Sequence, residues 1–165
     1  MLLIKIYNKK ITELIKDINN AIGENMSIIS SFIKLSSKDK ILAMESLFWL
    51  IMIRVMLWIF PFSYVQKRVQ KIADYIFVDD SNVPLQRISL MILASSKYVP
   101  RASCLVQALA GYLLFSKYGY NTLIKIGVSN EDGVFEAHAW VEHDEKVVLG
   151  ESEKKYKTIM DVDGG

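Results

Sequence analysis

Apolar residues change their spacing about two thirds of the way along this chain. Over residues 2–20 they fall at Leu3, Ile4, Ile6, Tyr7, Ile11, Leu14, Ile15 and Ile18, which is helical spacing. A second helix is predicted from about residue 37, with Ser36 or Ser37 as its cap and Asp39 in its first turn. Pro61 ends or kinks it near Phe60. The helical pattern resumes over residues 62–77, with Val65, Val69, Ile72, Ala73 and Ile76 inside and Lys67, Arg68 and Lys71 on the other face. A turn at residues 79–82 leads to Pro84, a suitable first-turn residue for a helix through about Tyr98. Pro100 punctuates again, and residues 103–118 read as a further helix stopped by Gly119. Then the period becomes two. Residues 122–128, 134–142 and 146–149 read as strands, joined by turns at 130–133 and 143–145. The tail after Glu151 is charged and reads as frayed. The order, helices first and then an antiparallel meander, makes this an α+β chain.

Residues 41–60, ILAMESLFWLIMIRVMLWIF, approach the length of a membrane span, with only Glu45, Ser46 and Arg54 interrupting the apolar run. Each buried charge costs a spanning helix about 2.5–3.5 kcal/mol on insertion scales, so a buried or partner-covered helix is the preferred reading. The start of the chain does not read as a secretory signal, because Lys5, Lys9 and Lys10 break its apolar stretch and no small-residue cleavage site follows. A length of 165 residues suits a single domain. Within it, residues 1–35 are a helical extension, 36–155 the core and 156–165 a tail. Twenty basic residues against 18 acidic ones leave a net charge of +2, too small for a nucleic-acid footprint.

One cysteine and two histidines exclude a disulfide framework and any Cys- or His-rich metal cluster, and no cofactor is implied. The lone Cys104 is therefore either packing or a nucleophile. It falls in the first turn of the predicted 103–118 helix, where free N–H groups and the positive dipole end favour a thiolate and could hold an oxyanion. His138 lies mid-strand. A cysteine at a helix start followed by a histidine on a later strand is the arrangement used by papain-like and transglutaminase-like thiol enzymes. His143, five residues on and in a turn, is the weaker base. If Asp144 and Glu145 form a two-residue hairpin, Glu151 falls opposite His138 and could orient its imidazole; otherwise it is a solvated charge near the tail. Trp140 shares the face of His138, either walling a substrate cleft or packing in the core.

The stretch YVPRASCLVQALAGYLLFSKYGY, the strand TLIKIGV and the strand AHAWVE together resemble lasso-peptide leader peptidases, which have a transglutaminase-like fold. Upstream, ESLFWLIMIRVMLWIFPF resembles the apolar helix and Pro-Phe pair that precede the family's catalytic block. The resemblance covers roughly residues 35–155. It implies Cys104 as nucleophile, His138 as base, and a cytoplasmic enzyme that cuts the leader from a lasso precursor. It further implies a separate leader-recognition protein and an ATP-dependent cyclase as partners. Many relatives carry an aspartate where this chain has Gly150, so Glu151 substitutes or a backbone or water group orients the histidine. Two rival readings are a non-catalytic peptide-binding module and a membrane-attached maturation factor held through residues 41–60.

Overall fold

The computed structural model describes residues 35–76, 78–79, 82–131, 134–154 and 156–162. The chain divides into two compact units, Met1–Lys40 and Ile41–Gly165. The helix expected over residues 2–20 lies outside the described residues. Four helices follow among those described: α1 (Ser37–Ile59), α2 (Phe62–Tyr75), α3 (Leu85–Ser96) and α4 (Cys104–Lys117). Then come β1 (Leu123–Glu131), β2 (Val134–His143), β3 (Lys146–Leu149) and β4 (Lys157–Val162). They form one antiparallel sheet in the order β3-β2-β1-β4. The chain is α+β, as its changing period predicts.

Local chemistry accounts for the boundaries. Ser36 Oγ accepts from the backbone N–H of Asp39 at 3.2 Å and donates to the Asp39 carboxylate at 2.8 Å, so Ser36 is the cap that opens α1. Pro61 and Pro84 stand just before α2 and α3 with extended backbones, each lending its carbonyl to the first turn. Asp144 and Glu145 both have positive φ, 48° and 62°, and form the two-residue turn between β2 and β3.

The core centres on α4. Its residues from Ala108 to Phe115 are all buried, because α2 and α3 pack on one side and the sheet on the other. Ala139, Val141, Ile124 and Leu149 form the buried face of the sheet. Leu149 reaches so close to Gly111 of α4 that a Cβ there would come within 2.5 Å of it.

One expectation fails at the end of the chain. The charged tail is not frayed throughout, since residues 157–162 form β4 and pair with β1. As an edge strand with Ile159 and Met160 exposed, β4 buries too little to leave a clear alternation in the sequence.

The apolar helix α1 is only half explained by burial. Leu42, Ser46, Leu50 and Ile53 are buried, while Ile41, Met44, Phe48, Ile51, Val55 and Trp58 are exposed. By length and composition it is the one helix among the described residues long and apolar enough to cross a membrane. The two charges within its apolar run, Glu45 and Arg54, have different fates. Glu45 is ion-paired with Lys117 and accepts from the Tyr118 hydroxyl at 2.9 Å, tying α1 to the end of α4. Arg54 has no ion pair or hydrogen bond among the described residues.

The Tyr118 contact has a measurable consequence. Burial, the hydrogen bond to Glu45 and the negative charges of Glu45 and Asp79 push its phenol well above the ordinary 10.0. A raised folded value means its share of stability is complete below about pH 10 and is lost as pH rises past that value. Urea unfolding at pH 9 and pH 11 should therefore show a smaller alkaline loss for Tyr118→Phe than for the unaltered chain. Equal losses would refute the linkage.

Candidate functional site

Cys104 is the first residue of α4, preceded by Ser103 in extended conformation, and its side chain is half-buried against the core. Because α4 starts here, the first-turn N–H groups have no intrahelical acceptor; the bond of Gln107 N–H to Ser103 O, at 3.0 Å, is the first of the ladder. The helix start is set by the turn before it. Ala102 N–H bonds Val99 O, Ser103 N–H bonds Arg101 O, and the Gln107 side chain donates to Ala102 O at 3.1 Å. A thiol held at such a terminus meets the positive end of the helix dipole.

His138 sits in β2 opposite Gly127 of β1. Its Nε2 lies 2.6 Å from the carbonyl oxygen of Gly150. A carbonyl can only accept, so Nε2 carries the proton and donates it, leaving the Nδ1 lone pair as the basic position of the neutral ring. The imidazole also stacks on Tyr156, with centroids 5.0 Å apart, and lies 6.0 Å from the Trp140 ring. Gly127 makes room for this stack, since a Cβ there would come within 2.9 Å of both Trp140 and Tyr156. These groups border a cavity of about 260 Å³ with Glu151, Ser152 and Lys154 on its rim.

The open face carries a charged cluster beside the stack. Trp140 Nε1–H donates to Glu142 at 2.7 Å and Lys125 pairs with the same carboxylate at 2.9 Å. Burial pushes the Glu142 carboxyl up, but these two donors outweigh it and hold it below the usual range. Trp140 is thus a half-buried wall of the cavity rather than a core residue.

Gly111 of α4 packs against Leu149, which pairs with Val141 of β2, and beyond the end of α4 Tyr120 meets the His143 ring edge-on at 5.6 Å. Alternation puts His138 and Trp140 on the opposite sheet face from Ala139 and Val141, and no hydrogen bond joins Cys104 to His138 among the described residues. The pairing of β3 covers only Val141 to His143, and beyond it Gly150 lies close against Ala139 O and Trp140 of β2.

Glu151 is not the group on the imidazole. The hairpin begins in the expected register, His143 opposite Lys146, but a bulge between Val141 and Glu142 shifts it, and pairing stops at Leu149. The backbone turns at Gly150 with φ +83°, which aims that carbonyl at His138. Glu151 is left exposed on the cavity rim. His143 ends β2 rather than standing in the turn, and its Nδ1 is 2.6 Å from Asn121 O. Sequence reasoning did not reach Tyr156, whose only signal was an aromatic residue in a charged tail.

A family model described as the transglutaminase-like superfamily matches residues 48–161. The chain belongs to the transglutaminase-like superfamily. That match takes in the second half of α1, Cys104, His138 and nearly all of β4, so the superfamily domain includes the strand that the charged tail concealed. No curated protein and no solved structure matches the chain.

Proposed function

We propose that this transglutaminase-like chain is a cysteine peptidase that removes the leader from a lasso-peptide precursor. The observation that carries the reading is an imidazole whose Nε2–H is held by Gly150 O, in one domain of this superfamily with a lone thiol that opens α4. The Cys104 thiolate attacks the carbonyl at the leader–core junction, and first-turn N–H groups of α4 hold the oxyanion. His138 Nδ1 takes the thiol proton and returns it to the departing core amine. Water activated by the same nitrogen then hydrolyses the leader thioester. The Gly150 carbonyl fills the orienting role that an aspartate fills in many relatives of the resemblance. A separate recognition protein delivers the leader, and an ATP-dependent cyclase takes the freed core in the cytoplasm.

The absence of a Cys104–His138 hydrogen bond among the described residues favours a second reading, a peptide-binding module in which Cys104 only packs. Alkylation separates the two. Because the chain has one cysteine, iodoacetamide adds at a single known site. Precursor hydrolysis, followed by mass spectrometry, should disappear in proportion to adduct formation. Unalkylated protein that binds the precursor and leaves it intact would leave the binding-module reading standing, and fully alkylated protein that still cleaves at the original rate would refute the Cys104 mechanism.

A further inference from the structure

We propose that the groove between the second half of α1 and the turn at residues 99–101 binds a substrate segment carrying a bulky apolar side chain flanked by carboxylates. This deepens the peptidase reading and rests on it for the word substrate. The groove has a volume of about 450 Å³, within the range of small-ligand sites. Ile51, Val55, Trp58, Val99 and Pro100 make its apolar wall, and Arg54 and Arg101 are its two charges. Trp58 is 79% exposed, a large apolar surface with nothing described against it.

Charge complementarity selects the occupant. Neither guanidinium has an ion pair or hydrogen bond among the described residues, whereas Glu45, the other charge within the apolar run of α1, is fully engaged. Two unpaired arginines beside an apolar wall suit carboxylates next to an apolar side chain, because a guanidinium can grip a carboxylate through two parallel N–H donors. Arg101 is also held in an unusual backbone state, φ +57°, which a non-glycine residue rarely adopts. The turn that fixes it is bonded to Gln107, one helical turn beyond Cys104. Whatever Arg101 grips is thereby held at a set position relative to the thiol three residues away.

The test uses the full chain carrying Cys104→Ala, so that binding is read without cleavage. The probe is a fluorescein-labelled decapeptide of Gly and Ser with a central Glu-Leu-Glu, followed by anisotropy. Exchanging both Glu for Lys, or Leu for Ser, should each weaken binding at least tenfold. Arg54→Gln with Arg101→Asn should weaken the acidic peptide similarly while leaving the Lys peptide unchanged; asparagine tolerates positive φ, so the turn is kept. Equal affinity for the acidic and basic peptides overturns the proposal without needing any variant. Displacement of the probe by phosphatidylglycerol vesicles, with the two peptides bound alike, overturns it in favour of a lipid surface. Cleavage that survives Cys104→Ala, with peptide discrimination intact, refutes the peptidase mechanism and leaves this groove standing.

Discussion

Precursor cleavage is expected to fall on the order of 10⁴–10⁶-fold when Cys104 is replaced by alanine. His138→Ala should cost about as much, and the double variant should be no worse than either single one. That non-additivity is the mark of two groups acting in one step, since neither the thiol nor the imidazole does its work without the other. Affinity for an uncleaved precursor, measured by anisotropy, should stay within a few-fold in all three variants, because transition-state contacts are lost and ground-state ones are not. Turnover within tenfold of the original in either single variant would sink the mechanism. A double variant far slower than both singles would show instead that the two residues act separately.

Gly150→Ala should be the most damaging change that removes no functional side chain. At φ +83° an alanine is strained, and its Cβ would stand 2.9 Å from Ala139 O and 3.1 Å from Trp140 Cα, both backbone atoms that cannot step aside. The conformational cost alone is roughly 1–2 kcal/mol, and relief would require moving the carbonyl that holds His138. Thermal unfolding should show the lost stability. The kcat for precursor cleavage should fall as well, because an imidazole without its Nε2 acceptor is no longer held in one orientation; loss of stability with unchanged turnover would assign Gly150 a structural role only. Gly150→Asp should fare no better than alanine. The aspartate of the resemblance cannot be restored by one substitution, since its Cβ meets the same backbone.

The helices were legible because each carries a long apolar period bounded by a serine or a proline, as at Ser36, Pro61 and Pro84. The placing of Cys104 at a helix start followed from Pro100 and the apolar run beyond it. What escaped was set by long-range contacts. The bulge that moves Glu151 away from His138 has no residue signature, and β4 is read only once β1 is there to pair with it. Likewise, Glu45 and Arg54 look equivalent in the sequence. Folding gives one of them Lys117 and Tyr118 and leaves the other at a groove.

The strand order also bears on how the protein is made. Among the described strands β1 is synthesised first, yet its second neighbour, β4, follows only after β2 and β3. Until residues 157–162 have left the ribosome, one whole side of β1 offers unpaired N–H and C=O groups to any other nascent chain. Rapid synthesis on crowded polysomes should therefore favour strand exchange between copies, and slower synthesis at lower temperature should raise the yield of monomer.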